Sequence, residues 1–173
     1  MPMYSRAQSL LLVLLPAIAS LISCSQERVA TGTSPDSKPL PAGFTGNLTR
    51  SDVTTLAIVD NIGPVSNPAA QQHVEVSGDK TFGITGWAVD DPKKALAGGV
   101  DVVIDQTPYS AHYGSSRPDV AAHFNQPAYG SSGFELMIAP GQLAKGQHSA
   151  SIRVISNDKK MYYQGPVVQF AVN

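Results

Sequence analysis

The chain has 173 residues, room for one domain with appendages. Its 12 basic and 13 acidic residues leave a formal charge of −1, which removes the basic footprint that nucleic-acid binding calls for. Charged residues are 14% against a usual value of about 25%, and 42% are hydrophobic, so a packed core is expected and global disorder is excluded.

In chain order, the first element is Arg6 followed by an apolar run through Leu10, Val13, Leu15 and Ile18 to Ile22. The uncharged stretch 7–23 is broken by Pro16 and falls short of the about 20 apolar residues that span a bilayer. A charged start, an apolar middle and a small-residue end read as a secretory signal over 1–23. Leu21-Ile22-Ser23-Cys24 resembles the bacterial lipobox, an apolar residue, two tolerant positions ending in a small one, and then Cys. The resemblance implies that the Cys24 thiol receives a diacylglycerol, that the signal is cut just before it, and that the new amino group is acylated. Each buried CH₂ of such chains is worth about 0.8 kcal/mol, so several chains together make a strong anchor. Cys24 is the only cysteine, which rules out an intrachain disulfide. Ser25 follows it where, in Gram-negative lipoproteins, an Asp would often signal inner-membrane retention, so the expected location is a bacterial envelope and, if the cell is Gram-negative, the outer membrane in preference to the inner. The expected partners are the membrane, through lipidated Cys24, and an envelope protein or glycan.

Residues 24–52 are dominated by Ser, Thr, Pro and Gly and keep no period of 2 or 3.6. They are expected to form a flexible tether. From 53 to 173 the texture changes to short apolar or alternating runs between turn signals. Leu56–Val59, His73–Val76, Phe82–Val89, Val100–Asp105 and Pro108–Tyr113 come first, the last two joined by Gln106-Thr107 at hairpin spacing. Arg117-Pro118-Asp119-Val120-Ala121-Ala122 has the first-turn Pro and early acid of a short helix near 118–124. Phe134–Ile138, Gln147–Ile155, Met161–Tyr163 and Val167–Val172 complete the set. Period-2 reading puts Val74, Val76, Ile84, Val100, Val102, Ile104, Phe134, Leu136, Ile138, Ile152, Val154, Val168 and Phe170 inside. It puts Glu75, Asp101, Glu135, Ser151 and Arg153 in water. The expected fold class is all-β, an immunoglobulin-like antiparallel β-sandwich of about seven to nine strands with that one helix.

Several short motifs recur in order through this region: Gly86-Trp87-Ala88-Val89-Asp90, Val102–Asp105, Tyr113-Gly114, Arg117–Ala121, Ser132-Gly133-Phe134, Leu143–His148 and Tyr162-Tyr163. Together they resemble an immunoglobulin-like module appended to bacterial envelope proteins. The resemblance implies architecture and setting, and no catalytic role.

The residues themselves offer little chemistry. The four histidines, His73, His112, His123 and His148, are scattered without a ligand pair, so no metal is expected. Asp101 and Asp105 lie roughly 13 Å apart on a strand, too far for one calcium ion. Asp90-Asp91-Pro92 reads as turn chemistry. There is no Gly-x-Ser-x-Gly elbow, and the only glutamates are Glu27, Glu75 and Glu135. No cofactor and no catalytic residue is expected. Trp87, between a Gly and an Ala on a strand, reads as a core anchor with its indole N–H on a backbone partner, or alternatively as an exposed ligand platform. The binding candidates are Tyr109, Tyr113, Arg117, Asp119 and Tyr129. Arg117 and Asp119 read either as a latch at the helix start or as an anion or sugar contact. The aromatics of 106–133, Phe124 included, read either as an exposed surface for a protein or glycan or as a satellite core. The functional expectation is a lipid-anchored, non-catalytic envelope protein with a protein-binding module, or alternatively a glycan-binding one. Cys24→Ala is expected to abolish metabolic labelling with a clickable fatty acid; unchanged labelling would contradict the lipid anchor.

Overall fold

The computed structural model describes residues 38–173. The expected signal, Cys24 and the first part of the tether lie outside the described residues. The strands are β1 (Thr49–Arg50), β2 (Ala57–Ile62), β3 (Val65–Ser66), β4 (Glu75–Val76), β5 (Phe82–Asp90), β6 (Ala95–Leu96), β7 (Gly99–Ile104), β8 (Thr107–Ser110), β9 (His112–Ser115), β10 (Gly133–Ile138), β11 (Gly146–Ile155) and β12 (Met161–Val172). One helix, α1 (Pro118–His123), lies between β9 and β10.

Two sheets face each other. One runs β3-β2-β5-β10-β9, with β6 also on β5; the other runs β1-β12-β11-β7-β8, with β4 also on β12. Without the two-residue strands, β2-β5-β10-β9 is the A-B-E-D sheet of an immunoglobulin sandwich, and β12-β11-β7-β8 is its G-F-C sheet with a C′ strand. The eight strands of four residues or more match the expected number, and four two-residue strands add to them. Pairing is antiparallel except for β1 and β4, which both run parallel to β12.

The core follows from side-chain alternation. Every residue of the expected inward set is buried in one cluster between the sheets, joined by Val59, Ile62, Phe82 and Tyr163. Phe82 and Phe170 meet edge to face at 6.4 Å across it. The tightest approach is at Gly86 in mid-β5. A Cβ there would stand 2.0 Å from the Ile58 carbonyl oxygen and 2.8 Å from the Phe134 ring.

The structure corrects several local expectations. The hairpin turn is Asp105-Gln106, one residue earlier than Gln106-Thr107, with φ of 46° and 73° and Ile104 paired to Thr107. Asp tolerates the left-handed region that this turn requires. Pro108–Tyr113 is not one strand: β8 belongs to one sheet and β9 to the other, with the switch at Ala111. The two expected C-terminal strands are one, β12, carrying a bulge. Asp101 is not in water but 1% exposed. It lies on the outer side of β7, where its carboxylate receives the Phe44 backbone N–H at 3.1 Å and the Arg153 guanidinium Nε–H at 2.9 Å. Phe44 belongs to the stretch expected to be tether. From residue 38 this stretch lies along the sandwich: Ala42 bridges Tyr109 on β8, and β1 pairs with β12.

Gly86→Ala is expected to force β2 and β10 away from β5 and to destabilise the fold by at least about 2 kcal/mol, read as a lower urea midpoint. An unchanged midpoint would show that the sheet is not packed this tightly.

Candidate functional site

The pleat of β5 sends Ile84 and Ala88 into the sandwich and Trp87 and Val89 to the outer side of the sheet. That outer side is covered locally. The connection from β9 to β10 folds into α1 and a 3-10 turn at Pro127–Tyr129, each with Pro in its first turn, where a missing N–H costs nothing. Val120 and Tyr129 come down on Trp87 and Val89 to form a second cluster, with Leu56 and Phe124 at its margin. Phe124 meets Trp87 edge to face at 5.6 Å and Tyr129 at 6.0 Å.

Polar bonds fasten this cover. Arg117, just before α1, reaches Asp60 on β2 at 2.6 Å and Asp119 at 2.7 Å. The guanidinium holds the Asp119 carboxyl down to about 2. Tyr129 donates its hydroxyl to Asp91 at 2.6 Å. Hydrogen bonds from Lys94 and Tyr129 lower the Asp91 carboxyl in turn.

Between β2 and α1 the cover stays open. A cleft of about 500 Å³ lies there, walled by Leu56, Ile58, Trp87 and Phe124, with Asp119 and His123 at its rim. Ile58 is 47% exposed. The lining is mostly apolar, and Asp119 is the one binding candidate from the sequence within it.

The five binding candidates do not converge. Tyr129 is 1% exposed, so it is no surface platform; with Phe124 it makes the satellite core. Tyr109 lies on β8 of the other sheet, half-buried against the main core. Tyr113 is half-buried too: its hydroxyl donates to the Ala88 carbonyl at 2.8 Å and accepts the Ala97 N–H at 3.1 Å. Arg117 and Asp119 form the latch, and Asp119 edges the cleft. Trp87 is buried, as the anchor reading requires, but in the outer cluster, and its indole N–H has no hydrogen-bond partner among the described residues. Sequence reading missed Leu56 and Ile58. The available signal was the unbroken apolar run Leu56–Val59, which leaves apolar side chains on both faces of a strand where alternation would leave one.

The carboxylates near the site are bonded within the fold. Asp90, 0% exposed, accepts the Tyr163 hydroxyl at 2.8 Å and the Asn157 N–H at 2.8 Å. Among the described residues no three His, Cys, Asp or Glu side chains are grouped to hold a metal ion. No family model matches the chain, and no curated protein matches it either.

Burial pushes the phenols of Tyr113 and Tyr163 up from 10 to about 12, and the Asp90 carboxylate adds to the rise at Tyr163. Tyr129 moves in the same direction. A group whose folded value is raised contributes stability that is intact below its unfolded value and is lost above it. Thermal stability is therefore expected to hold up to about pH 10 and to fall steadily toward pH 12. Tyr163→Phe should flatten part of that fall and destabilise the neutral-pH fold by about 1–3 kcal/mol, because Asp90 loses a donor. Melting curves across this range check both; an identical alkaline slope in the variant would contradict the assignment.

Proposed function

We propose that the chain is a lipid-anchored, non-catalytic protein of a bacterial envelope whose immunoglobulin-like domain docks a partner protein. The lipid attachment rests on Leu21–Cys24 and the apolar run before it. The docking reading rests on one observation, the apolar cleft between β2 and α1 with Trp87 at its base and Ile58 half-exposed at its edge. Protein interfaces place aromatic and aliphatic anchors at the centre and polar groups at the rim. Here Asp119 and His123 stand at the rim, and the Asp119 carboxylate is already paired with Arg117. The complementary partner segment presents an apolar side chain to Trp87 and Ile58.

A photo-crosslinking amino acid at position 58, in cells carrying the full chain, tests this. A discrete protein adduct is expected there, and none is expected from the same probe at position 167, an even more exposed valine on the other sheet. Ile58→Asp, scored with a probe at position 56, should remove the adduct. Absence of any adduct at 58, or the same adducts at 167, would overturn the reading.

A further inference from the structure

The outer face of the other sheet carries a second cleft, which holds none of the binding candidates from the sequence. Its volume is about 560 Å³, inside the roughly 300–1,000 Å³ range of small-ligand sites. The outward side chains of β7, β11 and β12 make its floor: Val103, Ser149 and Ser151, with Gln164 and Val167 beside them. Arg50 of β1 and Gln106 of the hairpin turn stand at its sides.

The bulge in β12 creates this arrangement. Arg153 pairs with Gln164 and Ser151 with Val167, so Gly165 and Pro166 together oppose the single Ile152. A regular strand would turn one of Gln164 and Val167 inward; the extra residue turns both outward. Gly is needed at 165, because a Cβ there would meet the Ile152 carbonyl oxygen at 2.9 Å. Bulges re-aim side chains in this way and recur beside binding sites.

The lining has a definite chemistry. Two arginines and no carboxylate face the cleft. Arg153 is held by Asp101, with its guanidinium 5.5 Å from the centre of the Tyr162 ring. Arg50 makes no ion pair among the described residues. The side chains of Gln106, Ser151 and Gln164 and the hydroxyl of Tyr162 make no hydrogen bond among the described residues. Amides and hydroxyls donate and accept, which matches the hydroxyls of a sugar. A phenol ring covers a sugar's C–H face, and a free guanidinium takes a carboxylate in a bidentate pair. Peptide addition to this sheet is hindered: residue 42 occupies the β8 edge, β1 and β4 occupy the two ends of the β12 edge, and Pro166 between them has no N–H to add to a ladder. A single free guanidinium is too little for a repeating phosphate backbone.

We propose that this cleft binds an acidic oligosaccharide. Arg50 takes a sugar carboxylate, Gln106, Ser151 and Gln164 take hydroxyls, and Tyr162 covers a ring face. The site lies on the opposite sheet from the docking cleft, so either assignment can fail without the other.

The test is calorimetric titration of the full chain in detergent with a galacturonic-acid oligomer and with a neutral glucose oligomer of equal length. Saturable binding of the acidic oligomer is expected, with the neutral one weaker. Arg50→Gln and Gln164→Ala should each weaken binding of the acidic oligomer by about tenfold. Both side chains are exposed and unpartnered, so both variants should keep the parent melting temperature, which separates lost binding from lost fold. No saturable binding of the acidic oligomer, equal binding of the neutral one, or unchanged affinity in either variant would overturn the proposal.

Discussion

The architecture turns on two adjacent carboxylates at the end of β5. Asp90 has no exposed surface, and a buried carboxylate is tolerated only when its oxygens are bonded. One oxygen takes the Tyr163 hydroxyl from β12 and the other takes the Asn157 N–H from the β11–β12 turn. Each bond ties a strand of one sheet to a strand end or turn of the other. Lys93, 3.8 Å away and partly exposed, adds a weaker attraction from the solvent side. Strand alternation sends the next residue the other way. Asp91 therefore accepts the Tyr129 hydroxyl on the outer face and holds the satellite cluster in place. The pair that reads in sequence as turn chemistry is a turn, and its two side chains also serve two separate cores.

The apolar cleft depends on that second bond. Tyr129 packs on Phe124, and Phe124 packs on Trp87. Without an acceptor at Asp91, the Tyr129 hydroxyl would be left unpaired inside an apolar cluster, at a cost of about 1–3 kcal/mol. The helix α1 has only six residues, too few to be stable alone. It persists because Val120 is buried and because Arg117 is clamped to β2 through Asp60. The position of the cleft wall is thus set by tertiary bonds, and little by helix propensity.

This explains which parts were legible. The inward set of the sandwich was readable residue by residue, because period-2 alternation is a local property of the chain. The outward residues were not. Whether Trp87 or Asp101 meets water depends on a segment distant in sequence, α1 for the first and residues around Phe44 for the second. Alternation assigns a face and says nothing about a cover. The split at Ala111 was hidden for a related reason: β8 and β9 are continuous in pattern, and only pairing shows that they serve different sheets. Of the five site candidates, Arg117 and Asp119 carried a readable sign in their spacing around Pro118. The tyrosines did not, since a phenol in a loop is equally suited to solvent or to a buried hydrogen bond.

The ion pair of Asp101 and Arg153 links the segment before β1 to the polar cleft. A buried pair is weak evidence for stability, because desolvation offsets much of the attraction. Its geometry does something else. The Asp101 carboxylate accepts the Phe44 N–H while the Arg153 guanidinium donates to the Phe44 carbonyl. One backbone unit thus closes a ring with both charges. The same guanidinium lies over Tyr162, so the ring wall of the cleft is set by the segment that crosses the sheet. That segment also covers the β8 edge at Ala42 and the first residues of the β12 edge at β1. An edge covered in this way cannot recruit a foreign strand, which favours side chains as the means of recognition on this face.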